Sequence, residues 1–196
     1  MFKKATAFLV IACLIANTSN AQSLMQGFGS TISVLFGKIE RPFSSYTLTL
    51  QQTNFTYFPR YNFVENDNSS VSIGLPVSVG LGIASNRFAD DAGLYFSYDL
   101  PAVVDYNFGC KSTMDNEETF GGYFGAGFGY NKISISKSQE SDFNGASYGP
   151  LLRGGVRISS TSESWAGRAL TIGLFYKKGM EKDKLTTIGF NVMYDL

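Results

Sequence analysis

Apolar and polar residues alternate with a period of two along most of the chain beyond residue 29. The cleanest run sets Val71, Ile73, Leu75, Val77, Val79, Leu81 and Ile83 against Ser72, Gly74, Pro76, Ser78, Gly80 and Gly82. Successive side chains of a strand point to opposite faces, so each such run reads as a strand with one apolar and one small or polar face. From Val71 to Ile83 an extended chain rises about 43 Å, at roughly 3.3 Å per residue. That is about twice the length of an ordinary soluble strand. Repetition of the pattern predicts eight strands, at 29–39, 44–64, 70–84, 92–108, 119–137, 146–159, 168–178 and 185–195. Polar stretches separate them: Glu65 to Ser69, Ser85 to Asp91, Lys111 to Glu118, Ser138 to Gly145, Ser159 to Gly167 with Trp165, and Gly179 to Asp183. Short connections make neighbours antiparallel. The last strand shows the faces clearly: Thr186, Ile188, Phe190, Val192, Tyr194 and Leu196 oppose Leu185, Thr187, Gly189, Asn191, Met193 and Asp195.

Twice the parity slips. Apolar positions pass from Tyr46, Leu48 and Leu50 to Phe55, Tyr57, Tyr61 and Phe63, and again from Phe124, Phe128 and Tyr130 to Ile133 and Ile135. A one-residue slip turns a strand over unless a bulge absorbs it, so bulges are expected at 52–54 and near Asn131.

Eight strands close into one of two barrels. A soluble lipocalin-like binder of apolar ligands points its apolar face inward; a transmembrane barrel points it outward. The second face decides, because it is mostly Gly, Ser, Thr and Asn. Only 16% of residues are charged, whereas a water-facing exterior would carry many Lys and Glu. A narrow eight-stranded interior also needs small side chains. With both termini periplasmic, Phe63, Tyr106, Phe120 and Tyr194 fall at the inner rim. Phe36, Tyr46, Tyr130, Tyr148 and Tyr176 fall at the outer one, as interfacial belts require. Arg168 and Lys178 share the apolar face but sit at strand ends, where they can snorkel.

The N-terminus agrees. Phe2-Lys3-Lys4 precedes the apolar run Ala5 to Ala16 and a polar stretch ending in Ser19-Asn20-Ala21, the pattern of an export signal covering 1–21. Val10-Ile11-Ala12-Cys13 superficially resembles a lipoprotein signal, but the apolar run continues past it. The barrel domain is then 22–196. Cleavage would leave Cys110 as the remaining cysteine, unable to form an internal disulfide.

Composition also excludes functions. The chain has no histidine, and so lacks the commonest general base, nucleophile activator and metal ligand. The expectation is that it is not an enzyme and has no catalytic residue, cofactor or metal. Sixteen Lys and Arg balance sixteen Asp and Glu, which gives no basic field for nucleic acid. Asp90-Asp91 and Asp115 with Glu117-Glu118 read as solvated turn carboxylates rather than cation sites. The stretch Gly125-Ala126-Gly127-Phe128-Gly129 lacks both the nucleotide-loop spacing and a following helix. Its glycines read as room on the lumen face beside Tyr95 and Arg153, or as points that let the strand coil.

The export signal, eight two-faced strands and terminal strand resemble the small OmpA/OmpX-like outer-membrane barrels. The style of Asn54 to Phe63 is similar to outer-membrane β-barrel domain proteins of the Bacteroidetes. Thr187, Gly189, Val192 and Tyr194 match the polar-x-Gly-x-x-apolar-x-aromatic assembly signal of such terminal strands, although this chain continues with Asp195-Leu196. The resemblance implies the cell outer membrane as location and its lipid as surroundings. It also implies recognition by the barrel assembly machinery, with periplasmic chaperones in transit. A monomer with a structural or interaction role is expected, or alternatively a narrow porin-like channel for ions or very small solutes. Arg60, Asp99, Asp105, Arg153 and Arg157 should face the lumen as a charge network, with Arg60, Asp105 and Arg157 at similar depth near the periplasmic end. Buried charges require partners.

Overall fold

The computed structural model describes residues 23–41, 44–86, 89–135, 144–160, 168–180 and 185–196. The expected export signal, Trp165 and most of the 138–145 loop lie outside them. The described chain is all β. Its strands are β1 (Leu24–Arg41), β2 (Ser44–Asn66), β3 (Ser69–Gly74), β4 (Val77–Asn86), β5 (Ala89–Asp99), β6 (Ala102–Gly109), β7 (Phe120–Ile135), β8 (Asn144–Ile158), β9 (Ala169–Lys177) and β10 (Thr186–Asp195).

Ten segments occupy eight positions around a closed sheet. Strands β3 and β4 both pair with β2, with Arg60 opposite Gly74 and Tyr57 opposite Val77. Strands β5 and β6 both pair with β7, with Asp99 opposite Asn131 and Ala102 opposite Phe128. The register runs unbroken across both gaps, so each pair is one expected strand interrupted at Leu75-Pro76 or Leu100-Pro101. Proline has no N–H for the ladder. All pairings are antiparallel, and β1 closes the barrel by pairing with both β2 and β10. The first strand starts earlier than the alternation indicated: the lead from Leu24 to Phe28 is already paired, Leu24 opposite Tyr61 and Phe28 opposite Tyr57.

The apolar face points outward. Leu81, Leu94 and Leu174 are each more than 60% exposed, which excludes the lipocalin-like arrangement, in which they would fill a core. The outward face also carries ring pairs. Phe28 lies 5.6 Å from Tyr194 and Tyr106 5.3 Å from Phe124 toward the end bearing the termini. Tyr98 and Tyr130 lie 6.2 Å apart nearer mid-height, Tyr98 opposite Val79. An apolar outer wall is the transmembrane form of the barrel.

Neither expected bulge is present. The β1–β2 register is continuous from Leu24–Tyr61 to Arg41–Ser44, and the β7–β8 register from Phe120–Ile158 to Ser134–Asn144. The parity changes arise because inward positions themselves become apolar toward the loop end. Leu35, Leu50 and Ile133 are fully buried and Leu185 nearly so, and Leu35 stands directly opposite Leu50. Apolar inward residues thus join polar ones such as Asn131, Ser147 and Thr187 toward the loop end, while each strand keeps its facing. A register shift in β2 does occur lower down, between Asn62 and Val64, where Phe63 and Val64 both face outward.

Candidate functional site

The lumen holds most of the buried polar chemistry, because even positions of β2 and odd positions of β6 to β10 point into it. At the termini end Arg60, from β2, and Arg157, from β8, converge on two acceptors. Arg157 donates through Nη2 to Asn107 Oδ1 at 2.9 Å, and Arg60 through Nη1 to the same oxygen at 3.4 Å. Arg60 Nη2 and Arg157 Nη1 donate to the backbone carbonyl of Lys111 at 2.7 and 3.4 Å. Two guanidinium groups this close repel unless an anion lies between them. Asp195 supplies it: its Oδ2 lies 3.1 Å from Arg157 Nε and 3.9 Å from Arg60 Nη2. The same oxygen accepts a hydrogen bond from the Thr171 hydroxyl at 2.7 Å.

The turn after β6 closes this end. Lys111 adopts a left-handed backbone, φ 54°, after Gly109 at 64°, and this reversal folds 110–112 under the barrel. Cys110, Lys111 and Ser112 are buried as a result. Carbonyls face upward: Lys111 accepts from the arginines, and Ser112 accepts from Asn62 Nδ2 and the Ser70 hydroxyl. Burial pushes the Cys110 thiol up from its ordinary value, so it stays protonated and unreactive. Burial, and then the Arg60 charge, push the Lys111 ammonium down.

Further into the barrel, Arg153 is clamped between two rings. Its Cζ lies 4.5 Å from the Phe58 centroid and 4.6 Å from that of Tyr123, whose ring also carries Arg157 at 4.9 Å. Arg153 Nε lies 3.6 Å from Asp105 Oδ1, an ion pair rather than a hydrogen bond. Asp99 sits apart, its Oδ2 accepting from Gln52 Nε2 at 3.0 Å and Asn54 Nδ2 at 3.2 Å.

Of the five charges expected to form one network, Arg60 and Arg157 therefore meet, Arg153 and Asp105 form a second layer, and Asp99 belongs to a third. Asp105 is not the partner of Arg60 and Arg157; Asp195 is. Its parity with Thr187, Gly189 and Asn191 marks it as inward, but alternation carries no sign of which cation it meets. Tyr123, Phe58 and Asn107 were also legible only as inward positions, since nothing in a sequence shows which arginine a ring will stack on.

Glycine placement explains how a narrow barrel holds these rings. A Cβ at Gly74 would strike the Phe58 ring, at Gly82 that of Tyr95, at Gly173 the Tyr123 hydroxyl and at Gly189 the Phe175 ring. The glycines at 125, 127 and 129 make room for Asp105, Val103 and Lys177, and not for Tyr95 and Arg153. The expected assembly residues on β10 divide by face: Thr187 and Gly189 are buried inward, Val192 and Tyr194 turn outward. Gly189→Val is expected to displace Phe175 and destabilise the refolded barrel by about 1–3 kcal/mol, the usual overpacking cost, read as urea unfolding in detergent micelles. A variant as stable as the parent that fails only to assemble in cells would make Gly189 purely a recognition residue.

Among the described residues no group of three His, Cys, Asp or Glu side chains converges on a metal-sized site.

No family model matches the chain, and no curated protein matches it. Solved structures share its fold. Ail, the attachment invasion locus protein of Yersinia pestis, is 12% identical, covers 90% of this chain and 99% of its own, and has a TM-score of 0.54. A second Ail structure, in complex with the heparin analogue sucrose octasulfate, is 13% identical over 90% of this chain and 100% of its own, with a TM-score of 0.53. The outer membrane protein OprG from Pseudomonas aeruginosa is 8% identical, covers 89% of this chain and 94% of its own, and also scores 0.54.

Proposed function

We propose that the chain is an integral outer-membrane barrel with a structural or interaction role and a lumen closed to solutes. One observation carries this reading: the interior is filled at both ends. Arg60, Arg157, Asp195 and Asn107 lock against the 110–112 turn at one end, and Leu35, Leu50, Ile133 and Leu185 turn inward toward the other. The outward apolar wall supports lipid as its surroundings. The N-terminal export pattern supports the outer membrane as its location, and the fold shared with Ail and OprG is consistent with it. On this reading the chain is a monomer, reaches the membrane with periplasmic chaperones, and is recognised by the barrel assembly machinery through Thr187, Gly189, Val192 and Tyr194. It is not an enzyme, since the sequence supplies no histidine to activate a nucleophile.

Purified protein in planar bilayers is expected to give no steady conductance, and Asp99→Asn or Asp105→Asn to leave that unchanged. Stable unitary currents that either substitution alters would replace this reading with that of a narrow porin-like channel.

A further inference from the structure

Strands β3 and β4 continue one barrel position, and β5 and β6 the next. Across this boundary Gly74 pairs with Val103 and Ser78 with Asp99. Both pairings share one register, which sets Pro76 directly opposite Pro101 between them. Both prolines are buried on the inward face. Their neighbours show which edge their backbone groups use. Leu75 donates its N–H to the Pro59 carbonyl at 3.1 Å and Leu100 to that of Tyr130 at 2.7 Å, each away from the other strand. Successive residues of a strand turn their backbone groups to opposite edges. Pro76 and Pro101 are therefore a pair that would exchange two hydrogen bonds, and neither has an N–H to give. Proline belongs on free strand edges; here two of them delete the same rung from a closed sheet.

The carbonyls of Pro76 and Pro101 consequently lack backbone donors among the described residues. The two strands also run about 13 Å, four residues at roughly 3.3 Å each, between the ladder bonds on either side. A buried carbonyl without a partner is costly, and lipid outside the wall offers no water. The lumen side differs. A cavity of about 40 Å³ lies there, and Pro76, Pro101, Ser78, Asp99 and Gly129 are among the residues that line it. A water needs roughly 10–15 Å³ of such space, so about three fit. Two other lining residues carry unpaired atoms of opposite kinds. Arg153 Nη2 is a donor and Asn191 Oδ1 an acceptor without a partner among the described residues. Water both donates and accepts, whereas a simple anion or cation serves only one kind of group.

We propose that the Pro76–Pro101 rung is a hydration site, where water from the lumen cavity donates to both carbonyls, and that the wall opens first at this rung. The water replaces two ladder bonds with an exchangeable link, so the two strands separate there more readily than elsewhere. The gap lies in the wall and not on the barrel axis, so the inference goes beyond the closed-lumen reading. The absent rung stands on the register alone; the lumen as the source of water rests on the proposed lipid surroundings.

Amide hydrogen exchange of the full barrel in lipid nanodiscs tests the rung. Leu75 and Leu100 should be protected about tenfold less than Gly80 and Ser97, which pair across the same two strands further along. Equal protection overturns the proposal. Pro76→Val restores one N–H with a side chain of similar volume. It should raise protection at Leu75 and Leu100 about fivefold, the effect of one added hydrogen bond; no change overturns the proposal. If that variant fails to fold, Pro101→Val restores the reciprocal bond, and the comparison within the parent needs no variant. Crystals grown from a lipid phase should show ordered water within hydrogen-bond distance of both carbonyls on the lumen side. The rival donor is the Lys177 ammonium, whose stem passes over Gly129, across from Pro101. Dry carbonyls, or that ammonium in place of water, overturn the hydration site. Water reaching them from the outer face alone also overturns it, and faults the lipid surroundings rather than the absent rung.

Discussion

Replacing Asp195 with alanine is expected to cost the barrel about 3–5 kcal/mol, the range found when one partner of a buried ion pair is removed. The carboxylate is 3% exposed and Arg60 and Arg157 are 2% and 1% exposed. Removing it leaves two guanidinium groups sharing the same carbonyl of Lys111 and the same oxygen of Asn107. Their mutual repulsion, now uncompensated, adds to the lost attraction. Asp195 also joins four strands of the wall, since its backbone pairs with β1 and β9, its side chain reaches Arg60 on β2 and Arg157 on β8, and its carboxylate accepts a hydrogen bond from Thr171. Urea unfolding in lipid vesicles should show the loss. Combining Asp195→Ala with Arg157→Met should restore much of it, because the second change removes the charge that the first left unpaired. A single variant within about 1 kcal/mol of the parent would show that the arginines draw enough from the carbonyls alone.

What alternation revealed and what it hid can be traced to particular residues. Period-two patterning identifies which side chains share a face, and it located every one of the eight barrel positions because outward residues meet one uniform environment. It does not say what the inward face meets at each depth. Leu50 and Ile133 are apolar and inward, so a pattern read as solvent type alone had to invoke bulges that the register does not contain. Pro76 and Pro101 continued the facing pattern correctly, yet each broke the hydrogen-bonded ladder, since side-chain parity and backbone pairing are separate constraints. The charged interior was legible as a list of inward residues and not as pairs. Arg60 and Asp195 are distant in sequence, and they meet only because β1 closes the barrel between β2 and β10. Seating the 110–112 turn beneath the arginines required the left-handed Lys111, and a polar stretch with no glycine at that position gave no sign of it.

Arginine on the outer wall should separate a lipid-facing surface from a water-facing one more sharply than any lumen substitution. Val79 lies midway along the outward run from Ile73 to Ile83, between Phe55 and Tyr98 on the neighbouring strands, and is 46% exposed. In lipid, Val79→Arg should destabilise the folded barrel by about 2–4 kcal/mol, because the guanidinium must either lose its water or thin the bilayer. Phe120, 60% exposed at the first position of β7, belongs to the rim. There an arginine reaches the headgroups and Phe120→Arg should cost only about 0–1 kcal/mol. The difference between the two sites carries the information. A water-facing wall would give both changes the small effect of ordinary surface substitutions, within about 0.5 kcal/mol. Folding equilibria of the two variants in vesicles, measured against urea, read the difference directly. Equal and small penalties would remove the basis for a membrane-spanning barrel, since depth dependence follows from the bilayer and not from strand propensity, which an exposed arginine disturbs equally at either position.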